Sequence, residues 1–201
     1  MNTANTRIRY GTVAIAFHWL IALLVLGNLC SGFYLANIMD DSNPWHFAFV
    51  QLHKSVGLTI LMLSVLRLLW RLANPIPALP PDMSLPLKIL ARGTHYLFYF
   101  FIVAIPLAGW AWASSSPRGI PTYYFGLFQW PNIPLLANAP HATRVANSHM
   151  FHAYHEFMAY SAAALLVLHV AAALYHHFLR RDDVFKRMLP GTHVSKLRAA
   201  E

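Results

Sequence analysis

Long apolar stretches recur four times along the chain. Residues 12–37, 93–117 and 157–179 contain no Asp, Glu, Lys or Arg. A further stretch, 50–72, carries Lys54 near its start and Arg67 and Arg71 near its end, where long basic side chains can reach the membrane surface. Because about 20 apolar residues cross a bilayer, this pattern predicts four membrane-spanning helices.

The predicted fold class is all-α, an integral membrane bundle of four antiparallel helices. The spans are expected at about 12–37, 50–72, 93–117 and 150–179, within a single domain that covers residues 1–201. A proline-rich turn at 74–82 separates the second span from the third, because proline cannot extend a helix. Pro106 lies inside the third span, where a membrane helix accommodates it with a kink.

The composition agrees with a membrane protein. Charged residues make up only 11% of the chain and apolar residues 57%, whereas soluble domains contain about 25% charged residues. This composition excludes a disordered chain and disfavours a soluble enzyme. The single cysteine excludes a disulfide framework, a cysteine-based zinc site and covalent haem attachment through Cys-x-x-Cys-His.

Basic residues are concentrated on one side of the predicted bundle. With four spans, both termini and the second-to-third connection share that side, which holds twelve of the 15 basic residues: Arg7, Arg9, Arg67, Arg71, Lys88, Arg92, Arg180, Arg181, Lys186, Arg187, Lys196 and Arg198. The positive-inside rule then places both termini in the cytoplasm. The excess of basic over acidic residues is thereby explained by the orientation of the chain in membrane lipid, and no nucleic acid is expected as a partner.

Histidines inside the spans are the main candidates for function, because ionisable residues within a membrane are expensive. His155 and His169 are 14 residues apart, so they lie within about 40° of each other on one helix face and about 21 Å apart. That spacing suits two haems placed one above the other. Ala159 and Ala162, on the same face, would leave room for a flat porphyrin.

The direction of each span pairs these histidines by depth. His53 and His155 both lie early in spans that start outside, so they are expected to hold an outer haem. His18, early in a span that starts inside, is expected to pair with His169 on an inner haem. Each predicted pair supplies two axial imidazole ligands to one haem iron.

Two other positions agree with this pairing. Gly32, 14 residues after His18, falls at the outer haem level, where the absence of a side chain leaves space. Arg67, 14 residues after His53, falls at the inner level, and with Arg71 it is expected to contact a haem propionate. The alternative is that both arginines simply anchor the span at the membrane surface.

Other chemistry is weighed against haem. A single histidine in a bundle is more often a hydrogen-bonded core residue than a ligand, but four at two matched depths favour a metal or haem. Glu156 is the only acid within a span, which argues against a zinc hydrolase and a di-iron carboxylate site. Two iron centres that are each saturated by imidazoles suit electron transfer.

Several segments together resemble the bacterial cytochrome b561 family, a family of four-helix di-haem membrane proteins whose members include superoxide oxidase. The resemblance runs from about residue 9 to 190, through these segments: Phe17-His18-Trp19, Leu52 to Gly57, Arg67 to Arg71, His95-Tyr96-Leu97, Ile105 to Gly109, Tyr154-His155-Glu156 and Leu168 to Phe178. It implies two non-covalent b haems on His18, His53, His155 and His169, in a bacterial inner membrane.

The resemblance also implies a function. Superoxide is the expected electron donor and ubiquinone the expected acceptor, which makes the chain a superoxide:quinone oxidoreductase. From their positions at the inner level, His95 and His176 are expected to border the quinone site; the alternative is that His176 and His177 simply lie at the membrane surface. The aromatic segment 121–134 is expected to cap the outer haem. Lys54, Arg118 and Arg144 would favour a small anion outside.

Two alternatives to this function remain open. The chain could be an electron-transfer subunit between a periplasmic redox partner and the quinone pool, although the short loop 38–49 favours a small donor. It could also be a transporter or scaffold without a cofactor, which would show no Soret absorption band.

Overall fold

The computed structural model describes residues 3–6, 9–79 and 83–191. Its elements in chain order are α1 (Thr12–Asn37), α2 (His46–Ala73), α3 (Leu85–Ser114), β1 (Thr122–Tyr124), β2 (Phe128–Trp130), α4 (Pro134–Ala137) and α5 (His141–Tyr175). The helices α1, α2, α3 and α5 are long and apolar enough to cross a membrane. The predicted helical membrane fold is therefore confirmed. Of the residues named above, Arg7, Lys196 and Arg198 lie outside the described part of the chain, as do residues 80–82 of the proline-rich turn.

Three of the spans are longer than their apolar stretches predict. The helix α2 starts at His46, α3 at Leu85 and α5 at His141, rather than at 50, 93 and 150. Hydropathy marks only the part of a helix that lies in the hydrocarbon, whereas the hydrogen-bonded backbone continues into the polar membrane surface. Lys88, for example, lies in the first turn of α3.

The helices pack as a series in which α1 contacts α2, α2 contacts α3, and α3 contacts α5. We call the end that carries residues 3–6, 9–11, 74–79, 83–84 and 176–191 the terminal end, and the end that carries residues 38–45 and 115–140 the hairpin end. Few apolar side chains are fully buried; Ile21, Leu58 and Ile60 are among them. Histidine rings occupy the space between the helices instead.

The segment between α3 and α5 contains an antiparallel hairpin of β1 and β2, with Tyr124 opposite Phe128. Its turn places Phe125 at φ +49° and Gly126 at φ +73°. The hairpin is hydrogen-bonded to Gln51 and Ser55 of α2, which are about 160° around the helix from His53. The hairpin backbone thus bonds the face of α2 opposite His53, and the cap over the outer haem stays a prediction.

Loops fold over the terminal end of the bundle. The Trp19 indole N–H donates to the Met188 carbonyl at 2.7 Å, and the buried Arg187 donates to the Ala78 carbonyl. The segment after α5 is thereby tied both to α1 and to the connection between α2 and α3. These contacts enclose the end of the bundle that carries His18.

Candidate haem sites

The structure brings together both predicted histidine pairs. The ring centres of His53 and His155 are 6.1 Å apart with 79° between the planes. Those of His18 and His169 are 6.4 Å apart with 63° between the planes. Each pair therefore joins α5 to a different helix, His53 from α2 and His18 from α1.

These distances fit one metal ion between each pair of rings. An imidazole nitrogen bonds a metal at about 2 Å and the ring centre lies about 1 Å behind it, so two opposed rings have centres about 6 Å apart. Both pairs meet this value. The spacing of 14 residues from His155 to His169 separates the two levels by about 21 Å along α5. The donor set is thus suited to two haems with two axial imidazoles each.

Hydrogen bonds hold both rings of the hairpin-end pair in the tautomer that carries its proton on Nδ1. The Ser31 hydroxyl donates to the Asn28 carbonyl at 2.9 Å, so it accepts the Nδ1–H of His53, also at 2.9 Å. The Ile105 carbonyl can only accept, so His155 donates its Nδ1–H to it at 2.9 Å. Both Nε2 atoms are left with a free lone pair, as a metal ligand requires.

Two glycines make room for the same rings. A Cβ atom on Gly32 would lie 3.0 Å from Cε1 of His53, and one on Gly109 would lie 3.1 Å from both Cε1 and Nδ1 of His155. These distances are tighter than ordinary van der Waals contact, so any larger residue would displace the rings. Gly32 thus lies at the predicted level, and what it accommodates here is the His53 ring.

The terminal-end pair has different neighbours. A guanidinium nitrogen of Arg67 lies 3.3 Å from Nδ1 of His18, and because guanidinium can only donate, this Nδ1 accepts and the ring proton lies on Nε2. Binding a metal through Nε2 therefore requires Arg67 to turn to another acceptor. The ring of His169 packs against Phe98, with centres 5.1 Å apart.

Three of the other residues predicted for the inner level, Arg67, Arg71 and His95, converge on this pair. Arg67 and Arg71 lie over the Tyr99 ring, 5.5 and 5.2 Å from its centre, and the three residues line one pocket. His95 is close enough to interact electrostatically with Arg71 and His169. The terminal-end pair is therefore surrounded by cationic and aromatic groups that can receive an anion such as a haem propionate.

His176 lies apart from these groups, in a π-helical turn that follows α5. Its Nδ1 is 2.6 Å from a carboxylate oxygen of Asp182, and the Asp182 backbone N–H donates to the His176 carbonyl at 3.3 Å. The sequence did not indicate Asp182 as a partner, because the contact depends on the left-handed turn at Arg181 (φ +54°).

A further ring contact at the hairpin end was missed by sequence reasoning. Trp112 packs on His152 with ring centres 4.3 Å apart and lies 6.1 Å from His155. His152 is exposed and one turn before His155 on α5. Its spacing could have indicated a neighbour of His155, but Trp112 could not be placed there without the packing of α3 on α5.

Charges of both signs lie at the hairpin end. Lys54 follows His53, and Arg144 donates to the Ser116 carbonyl at 2.6 Å, which fixes that cation at the start of α5. A negative charge lies at the same end. The backbone N–H and hydroxyl of Ser42 donate hydrogen bonds to the Asp40 carboxylate and hold the pKa of that carboxyl below its usual range. Asp40 therefore stays ionised and partly offsets the cations.

Several known proteins have sequences similar to this chain. The family model for prokaryotic cytochrome b561 matches residues 9–191. Cytochrome b561 homolog 2 of Escherichia coli (strain K12) is 35% identical over 189 residues, 94% of this chain and 95% of the relative. The probable superoxide oxidase CybB of Yersinia pestis is 32% identical over 186 residues, 90% and 96% respectively. The chain therefore belongs to the prokaryotic cytochrome b561 family, helical membrane proteins that bind haem b and transfer electrons.

Proposed function

We propose that the chain holds two b haems, one between His53 and His155 and one between His18 and His169. The observation that carries this proposal is the presence of two imidazole pairs, each with ring centres about 6 Å apart, at two levels of one bundle. Haem bound at both levels would supply one-electron chemistry on either side of the membrane centre.

We propose that the reaction is the oxidation of superoxide coupled to the reduction of ubiquinone. Two superoxide anions lose one electron each and become two molecules of oxygen, and the two electrons with two protons convert one quinone to quinol. Two features support this reaction: the similarity to a probable superoxide oxidase and the Trp112–His152 contact between the surface and His155.

The hairpin end is proposed as the superoxide side. The loop 38–45 is short and leaves His152 exposed, so a diatomic anion can reach this end more easily than a folded partner protein. Lys54, Arg118 and Arg144 attract an anion, while Asp40 and Asp41 limit the attraction. This end would face the periplasm, and the basic terminal end the cytoplasm of a bacterium.

The terminal end is proposed as the quinone side. His95, among Arg67, Arg71 and His169, can donate a hydrogen bond to a quinone oxygen. His176, held by Asp182 at 2.6 Å, can pass protons inward from the cytoplasm. The Asp182 carboxylate accepts the Nδ1–H of His176 and orients the ring, so its other nitrogen is free to exchange a proton with water.

The test is stopped-flow spectroscopy of the purified protein in lipid, with superoxide as donor and ubiquinone as acceptor. We expect haem reduction that is suppressed by superoxide dismutase, followed by reoxidation on addition of quinone. His95→Ala and His176→Ala should slow reoxidation and leave reduction by superoxide unchanged. His149→Ala, on an exposed position at the other end of α5, serves as the control.

Two results would overturn the proposal. If superoxide leaves the haems oxidised while a chemical reductant reduces them, the chain is an electron-transfer subunit with a different donor. If neither His95→Ala nor His176→Ala slows reoxidation, the quinone site lies elsewhere.

A further inference from the structure

One edge of the hairpin is bonded to side chains of α2 instead of water. The Gln51 amide donates to the Pro121 carbonyl at 2.9 Å and accepts the Tyr123 N–H at 2.8 Å. The Ser55 hydroxyl lies 3.0 Å from the Tyr123 carbonyl and accepts the Phe125 N–H at 2.9 Å. Two side chains therefore serve four backbone groups of the strand edge.

This polar stripe runs along a span and not across its end. Gln51, Ser55 and Thr59 are successive i, i+4 positions of α2, and the Thr59 hydroxyl lies 3.0 Å from the Tyr124 hydroxyl. The helix extends from His46 to Ala73, and a hydrocarbon core of about 30 Å covers about 20 residues around its centre. Ser55 is then roughly 7 Å below the surface of that core.

The physical need for such a stripe differs between water and lipid. At an aqueous surface, water would satisfy the same strand edge, and α2 would need no polar side chains there. In hydrocarbon, an unpaired backbone N–H or carbonyl is costly, and non-helical backbone is tolerated only where protein satisfies it. Ser55, with no exposed surface, meets that requirement at the hairpin turn.

The turn itself presents apolar side chains outward. Leu127 is 77% exposed and Phe128 51%, and Phe125 is also exposed beside Gly126. At the other end of the hairpin, Trp130 packs on Trp110 with ring centres 6.0 Å apart. Tryptophan is enriched at the membrane–water interface, and apolar side chains favour the hydrocarbon. The tryptophan pair at the base of the hairpin and the apolar residues at its turn match these two depths.

We propose that the hairpin 122–130 is a re-entrant element whose turn lies among the acyl chains of the leaflet at the hairpin end. Its partner is the lipid itself, which contacts Phe125, Leu127 and Phe128, while α2 satisfies the backbone edge. The connection between α3 and α5 thus dips into the membrane beside α2 instead of covering the aqueous surface.

Spin labelling measures this depth directly. Leu127→Cys, in a Cys30→Ala background that removes the exposed native thiol, is labelled with a nitroxide in the haem-loaded protein in phosphatidylcholine vesicles. The label should collide more with oxygen than with a water-soluble nickel chelate, as a label at Val167 on α5 does. A label at Ser42, in the loop 38–45, should show the reverse. If the Leu127 label behaves like the Ser42 label, the proposal is wrong.

A second variant tests whether α2 holds the turn in the membrane. Ser55→Ala removes the partner of two backbone groups, so nickel collisions with the Leu127 label should increase. Ser64→Ala is the matched control, since Ser64 is also fully buried on α2 and its hydroxyl has no hydrogen-bond partner within the described part of the chain. An equal change in both variants, or no change in Ser55→Ala, would contradict the role of Ser55. A label at Phe128 replaces the one at Leu127 if that variant loses haem.

Discussion

The two histidine pairs differ in what surrounds them, although their ring distances are nearly equal. At the hairpin end, His53 and His155 each have their Nδ1–H bonded to an oxygen acceptor, Ser31 Oγ and Ile105 O. At the terminal end, His18 accepts from the guanidinium of Arg67. The hairpin-end pair has both Nε2 lone pairs free for a metal. In the terminal-end pair, the Arg67 guanidinium must first leave Nδ1 of His18 before Nε2 of that ring can bind a metal.

With haem bound at both proposed sites, this difference would affect the two midpoint potentials in opposite directions. The neutral oxygen acceptors at the hairpin end make the imidazoles more electron-donating, which favours oxidised iron. Positive charge from Arg67 and Arg71 at the terminal end favours the reduced form, because reduction adds a negative charge. In the proposed arrangement of two haems, both effects raise the midpoint potential of the terminal-end haem relative to the other, which favours electron flow toward the terminal end.

The largest expected effect comes from the ligands themselves. His155→Ala should remove the hairpin-end haem and His169→Ala the terminal-end haem, so each variant keeps about half of the pigment. Haem-to-protein ratios by pyridine haemochrome, with redox titration of the remaining signal, measure this loss. His53→Ala should match His155→Ala, and His18→Ala should match His169→Ala.

The pairing fails if the variants group differently. A His53→Ala protein with the redox signal of His169→Ala would show that the pairs are crossed. Full haem content in any of the four variants would remove that histidine from the ligand set. His149→Ala, elsewhere on α5, should retain both haems.

A smaller and one-sided effect is expected from the glycines that hold the hairpin-end rings. Gly32→Ala and Gly109→Ala introduce Cβ atoms about 3 Å from His53 and His155, and the displaced rings should lower haem affinity at this end by about 10–100-fold. Titration of apoprotein with haem should then give one tight and one weakened site.

The same two helices provide matched controls for this experiment. A Cβ atom on Gly27 of α1 or on Gly93 of α3 would meet no neighbouring atom within 4 Å, so the alanine variants at these positions should bind two haems tightly. If all four variants weaken binding alike, the effect comes from helix packing and not from the ring cradles.

The sequence was sufficient for the spans and for bringing the histidines together, because both depend on regular helix geometry. The 14-residue spacing of His155 and His169, together with the direction of the spans that carry His18 and His53, places the four histidines at two levels without knowledge of the side-chain contacts. The path of residues 121–134 could not be predicted, since it depends on hydrogen bonds between distant segments. A polar residue such as Ser55 in a span fits a helix–helix contact as well as a hairpin contact.

The contacts that surround the predicted ligands could not be predicted from the sequence either. Gly109 belongs to the Ile105–Gly109 segment on which the family resemblance rests, yet its contact with His155 requires the register of α3 against α5. The helices begin before the predicted spans, at His46, Leu85 and His141, because the apolar sequence ends at the edge of the hydrocarbon whereas the helices continue beyond it.

The smallest expected effect is a change in midpoint potential when the positive charge of Arg67 is removed from the terminal end. Arg67→Ala should lower the midpoint potential of the terminal-end haem by about 50–100 mV, since a unit charge acting over about 10 Å at an effective dielectric constant of about 20 is worth nearly 2 kcal/mol. The potential of the hairpin-end haem should remain unchanged, and Arg67→Lys should retain most of the wild-type value. Arg92→Ala, an exposed arginine at the same end, should shift neither potential because solvent and salt screen it. A downward shift of both haems, or an upward shift of the terminal-end haem, would mean that Arg67 acts through the packing of His18 and not through its charge.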